Sequence, residues 1–160
     1  MTKIILTIAI TTAIGFFTGK YFYSSYKERR QYYSALTEFT GALESNLSFR
    51  QEKLSDVVDE FAKKTNAVFA EQLKNFGDYI AGRGEFIITC NAARKDGGLA
   101  ESFFKNIGTV DIFTQKEALK SYKTQFDERL KICAAEEKNK GMMMLKVFTL
   151  AGLAAGILLM

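Results

Sequence analysis

The stretch Ile4-Ile-Leu-Thr-Ile-Ala-Ile-Thr-Thr-Ala-Ile-Gly-Phe-Phe-Thr-Gly19, followed by Lys20 and Tyr21-Phe22-Tyr23, decides the fold. From Ile4 to Tyr23 it is long enough, at about 1.5 Å per residue, to cover the roughly 30 Å hydrocarbon core of a bilayer as one helix. Lys20 stands near its edge, where a long side chain reaches the headgroups. The tyrosines suit the aromatic belt at a membrane interface. The other end of the chain mirrors it. Met142-Met-Met-Leu-Lys-Val-Phe-Thr-Leu-Ala-Gly-Leu-Ala-Ala-Gly-Ile-Leu-Leu-Met160 is a second spanning candidate, with Lys146 on its inner side.

A cleaved signal peptide is the alternative for the first segment. Lys3 supplies a basic start, and Ala13-Ile14-Gly15 is a small-x-small site that would leave Phe16 as the mature N-terminus. Against cleavage, the apolar run continues to Tyr23, and Lys27, Arg29 and Arg30 follow at once. Such clusters stay on the cytoplasmic side. The same rule predicts orientation. Lys20, Lys27, Arg29 and Arg30 flank one segment, and Lys131, Lys138, Lys140 and Lys146 the other, while the outer ends carry only Lys3 and the amino terminus. The expected topology is two-pass, with both termini outside and the middle cytoplasmic.

The expected organisation is therefore all-α, with a spanning helix over residues 4–23, a helical bundle over 24–141 and a spanning helix over 142–160. All eighteen acidic residues lie between Glu28 and Glu137, so the middle is mixed in charge and the ends are apolar and weakly basic. Leu36, Phe39, Leu43 and Leu47 recur at helical steps, which carries the first helix on to about Leu47. Leu54, Val57, Val58, Phe61, Ala62, Val68 and Phe69 form another stripe, with Asp56, Asp59, Glu60, Lys63 and Lys64 opposite. Leu73, Phe76 and Ile80 carry it to a stop at Gly82-Arg83-Gly84. Phe86 to Cys90 has strand composition but no partner strand, and a short helix is expected there. Leu99 to Ile107 reads as a short helix. Gly108 and Asp111 frame a structural turn, with Gly as helix stop and Thr109 or Asp111 as the next N-cap. Leu119, Tyr122, Phe126, Leu130 and Cys133 then mark one face of a long helix running into the second apolar segment. About a hundred residues with aromatic stripes bury a real core.

Chemistry is sparse. The 160 residues hold no His, no Trp and no Pro, which removes the commonest general base and the commonest metal ligand. Cys90 and Cys133 are read as small buried residues on helix faces rather than a disulfide framework. Asp59-Glu60 and Glu136-Glu137 are read as solvated faces, and the glycines at 82, 84, 97 and 98 lack the pattern of a phosphate loop. Neither a catalytic residue nor a metal or cofactor site is expected. A net charge of +4 without a basic stripe argues against nucleic acid, and no small-molecule substrate is expected. Each apolar segment does hold a Gly-x-x-x-Gly, Gly15 with Gly19 and Gly152 with Gly156, and Ala151 and Ala155 extend the second. Small residues four apart let helix backbones approach closely, which points to helix pairing within the chain or between chains.

The order of features, with Tyr26-Lys-Glu-Arg-Arg-Gln31, Leu36 and Leu43-Glu44 near one end and Asn106-Ile-Gly-Thr-Val-Asp111, Gln115, Leu119 and Lys138-Asn-Lys-Gly-Met-Met143 near the other, resembles the stage III sporulation protein AB family of endospore-forming bacteria over nearly the whole chain. That resemblance implies a cytoplasmic bundle similar to type II secretion F platform proteins. It implies a non-catalytic membrane platform in a secretion-like channel between mother cell and forespore. The implied partners are the membrane, the other stage III sporulation A proteins including an ATPase subunit, and further copies of the chain. The Gly108–Asp111 turn would correspond to the sharp helix–helix turn of such platforms. A pore-forming protein assembling through its glycine faces is the alternative in a different functional class.

Overall fold

Without proline, helix ends here fall to glycine, to polar caps and to competing side-chain hydrogen bonds. The computed structural model describes residues 2–50, 52–94, 96, 98–107 and 112–159, and all regular structure among them is helical. Helix α1 spans Thr2–Ser45 and passes into a π-helical turn at Asn46–Arg50. Then come α2 (Leu54–Lys64), α3 (Ala67–Ile80), the single turn α4 (Asn91–Arg94), α5 (Leu99–Asn106) and α6 (Ile112–Glu136). A second π-helical turn, Glu137–Gly141, joins α6 to α7 (Met142–Leu158). The chain divides into two compact units, residues 28–132 and residues 1–27 with 133–160.

In the unit of residues 28–132, the stripe from Leu54 to Ile80 is two helices rather than one. Thr65 and Asn66 leave the helical conformation, and the Asn66 side chain accepts the Phe69 amide at 3.0 Å as an N-cap. The change of direction lets α2 and α3 pack on each other. Helix α3 ends in a Schellman motif: the Gly82 amide donates to the Tyr79 carbonyl, and the Arg83 amide to the Asp78 carbonyl. Gly82 has φ +70°, the left-handed conformation that this motif requires.

The helix expected at Phe86–Cys90 is absent. Residues 85–90 form no regular secondary structure, and backbone groups of Ile87 and Thr89 bond to side chains of α3. Gln72 Nε2 donates to the Ile87 carbonyl at 2.9 Å, and Gln72 Oε1 accepts the Thr89 amide at 2.9 Å. Asn75 Oδ1 accepts the Ile87 amide at 3.0 Å. Two side-chain amides about one turn apart thus take backbone hydrogen bonds that a helix or a partner strand would otherwise supply. Cys90 accordingly sits at the end of an irregular segment, not on a helix face. Its carbonyl accepts the amides of Ala93 and Arg94 at the start of α4.

The core of this unit is aromatic. Tyr32, Tyr33 and Phe39 of α1, Phe69 and Phe76 of α3, Phe103 and Phe104 of α5, and Phe126 of α6 are each at most 1 % exposed. Phe104 is central, its ring centroid 4.9 Å from Phe76, 5.1 Å from Phe86 and Phe103, and 6.2 Å from Phe39. Truncating a phenylalanine so enclosed costs about 3–5 kcal/mol. A bidentate pair closes one edge, where the Arg29 guanidinium grips the nearly buried Asp96 carboxylate, with Nε 2.8 Å from Oδ2.

Candidate functional site

The unit of residues 1–27 and 133–160 is built from the two apolar ends. The helical runs Lys3–Phe49 and Gln115–Leu158 each contain a stretch long and apolar enough to cross a membrane, and only 6 % and 11 % of those stretches is buried. Ile5, Leu6, Phe17, Leu150, Leu153 and Ile157 are exposed. A core helix would bury them. The polar side chains in these stretches are locally satisfied: Thr7, Thr12 and Thr18 donate to the carbonyls of Lys3, Ile8 and Ile14, and Thr149 to that of Leu145, at 2.7–3.0 Å. Such back-bonding satisfies these hydroxyls within their own helix.

The two apolar helices run antiparallel along a seam of glycines. A Cβ on Gly15 would collide with the Phe148 carbonyl oxygen and come within 3.1 Å of Gly152 Cα. One on Gly19 would lie 2.9 Å from Leu145 Cα, and one on Gly152 2.5 Å from the Thr11 carbonyl oxygen. One on Gly156 would run into Thr11 Oγ1 and stand 2.9 Å from Ile8 Cα. Ala151 and Ala155, by contrast, are exposed and off the seam. Beyond the glycines, Phe22 stacks on Phe148 with centroids 5.2 Å apart, and Tyr23 donates its hydroxyl to Glu137 at 3.0 Å.

Gly141 also belongs to the seam. A Cβ there would be 3.1 Å from Tyr23 Cδ2 and 3.5 Å from Tyr26 Cβ. It lies three turns before Gly152 on the same helical face, so extending the glycine spacing by eleven residues finds it. The π-helical turn Glu137–Gly141 ends on it; the Met142 amide donates to the Glu137 carbonyl, five residues back. Gly108 and Asp111, the expected structural turn, lie outside the described residues.

Among the described residues no catalytic geometry accompanies these features. Among the described residues no group of three or more Cys, Asp or Glu side chains could hold a metal ion. Glu60 pairs with Lys64 and Glu136 with Lys140, each on its own helix face. Cys90 and Cys133 are buried and not joined in a disulfide. Burial pushes the Cys90 thiol up, away from the thiolate that nucleophilic chemistry needs. Burial, reinforced by Tyr33, holds Tyr32 well above the ordinary tyrosine value. An open cleft of about 1000 Å³ along α2 and α3 is rimmed by Asp59, Lys63, Lys74, Asp78 and Arg83. Its charges are mixed in sign, and Arg83 is already bound to Asp78 at 2.8 Å.

No curated protein and no solved structure matches the chain. The family profile described as stage III sporulation protein AB does match, over residues 1–160, the full length of the sequence. With its all-helical fold and two long apolar helices, the chain belongs to the stage III sporulation protein AB family.

Proposed function

We propose that this protein is a non-catalytic membrane platform, a two-pass scaffold that joins a cytoplasmic ATPase to a secretion-like channel between mother cell and forespore. The observation that carries the reading is the glycine seam. It pairs the two apolar helices within one chain, the arrangement of a fixed two-helix anchor, and its helices leave their remaining apolar surface open to lipid. In this reading residues 24–141 form the cytoplasmic, secretion F-like bundle and both termini face outward. The basic flanks around residues 20–30 and 131–146 support that orientation. The densely packed aromatic core and the absence of convergent reactive groups among the described residues fit a mechanical part better than an enzyme.

The sporulation role is tested by deleting the gene in its host. Development should stop after engulfment; a normal spore yield would sink the platform reading. The pore-forming alternative is separated by Gly15→Ile and Gly152→Ile. A pore should lose membrane leakage through these changes. A platform should lose complex assembly, never having leaked, and the use of the glycines inside the chain favours that result.

A further inference from the structure

Where the glycine seam ends, the same two helices carry an unneutralised ring of lysines. Gly19 lies against Leu145, so Lys20 and Lys146, each the next residue, flank one crossing. Tyr23 lies against Gly141 and bonds Glu137, so Lys27 and Lys138 flank the level beyond it. From Lys20 to Lys27 is two helical turns, about 10 Å. All four lysines are exposed, and none of them is in an ion pair among the described residues. The acidic groups at this end of the unit are already engaged, Glu136 by Lys140 and Glu137 by Tyr23. Exposed apolar side chains interleave with the lysines: Tyr21 at 77 %, Phe22, Met142, Met143 and Val147.

We propose that this collar is a binding surface for anionic phospholipid headgroups, the lysines taking the phosphates and the exposed aromatic and methionine side chains lying against the acyl chains. An acidic protein partner would match the charge but not the apolar side chains among the lysines. A bilayer surface presents both chemistries at the required depth. The inference rests on the reading of the two apolar helices as a membrane hairpin.

The test uses the full chain in nanodiscs of equimolar phosphatidylcholine and phosphatidylglycerol, with co-released lipid counted by native mass spectrometry. Phosphatidylglycerol should be retained about fivefold over phosphatidylcholine, the ratio that corresponds to about 1 kcal/mol. The enrichment should fall toward parity in the K20Q/K27Q/K138Q/K146Q variant and at high salt, and should persist in the corresponding arginine variant. Equal retention of the two lipids by the native chain, or an enrichment untouched by the glutamine changes, overturns the collar alone. A chain that fails to incorporate into bilayers, or is stripped from them by alkaline carbonate, overturns the hairpin reading and the collar with it.

Discussion

Gly15 and Gly152 meet backbone to backbone: a Cβ on Gly15 would stand 3.1 Å from Gly152 Cα and 3.2 Å from its nitrogen. At this separation no side chain fits between the helices, and nothing flexible is present to move aside. Gly15→Leu should therefore force the helices apart, at a cost of about 1–3 kcal/mol for overpacking a closed contact. Ala154→Leu adds bulk on an exposed face of α7 and should be neutral. Thermal melting of both variants in detergent, followed by circular dichroism, measures the contrast. Equal midpoints would refute the seam as the contact that holds the hairpin.

Gln72 is fully buried and serves four groups. Its amide reaches the Ile87 carbonyl, and its oxygen takes the Thr89 amide, the Tyr32 hydroxyl at 3.3 Å and the Thr89 hydroxyl at 3.4 Å. Gln72→Leu keeps the bulk but takes this partner from the buried Tyr32 hydroxyl and the half-buried Thr89 amide, at about 1–3 kcal/mol for a buried group. The expected outcome is a loss of roughly 2–4 kcal/mol in chemical denaturation. Hydrogen exchange at the Thr89 amide should accelerate more than exchange within α5. Uniform acceleration would show that Gln72 acts on the core as a whole and not on the segment of residues 85–90.

This clamp also marks where the sequence stops being legible. The apolar ends, the long helices and the glycine seam follow from local periodicity and spacing, because helix formation and close packing depend on residues three and four apart. The irregular conformation of residues 85–90 does not follow from them. Phe86-Ile87-Ile88 suits helix or strand alike, and what decides is Gln72 and Asn75, more than ten residues away. The break at Asn66 is a different case. An Asn three residues before Phe69 is a local N-cap signal, but the uninterrupted stripe from Leu54 to Ile80 outweighs it. Ala151 and Ala155 show the limit of spacing within a helix. They repeat the four-residue step of Gly152 and Gly156, but one residue of offset turns them about 100° off the seam.

Tyr32 and Cys90 should make stability fall in alkali. Both are held protonated by burial, so their acidities in the folded chain lie above the ordinary values of 10.0 and 9.0. Below the unfolded values the two states bind the same protons, and the contribution to stability is complete. As pH rises through and beyond them, the unfolded chain releases protons that the folded chain keeps, and stability declines. Urea midpoints should be level from about pH 7 to pH 8.5 and then fall, and Cys90→Ala and Tyr32→Phe should each lessen the fall. A midpoint still level at about pH 11 would contradict the burial of both groups.

Topology can be read with thiol reagents, but not from the native thiols. Cys90 and Cys133 are 5 % and 1 % exposed, so they should label slowly in intact and in permeabilised cells alike, whichever way the chain faces. Phe49 is 85 % exposed in the π-helical turn after α1 and lies far along the chain from both apolar segments. Phe49→Cys, with both native cysteines changed to alanine, presents one reactive thiol at little cost to the core. If residues 24–141 face the cytoplasm, a membrane-impermeant maleimide should label this cysteine only after permeabilisation. Labelling in intact cells would place the bundle outside and reverse the orientation drawn from the basic flanks. Because exposure at Phe49 is built into the fold, an absence of labelling in intact cells that permeabilisation restores cannot be ascribed to burial.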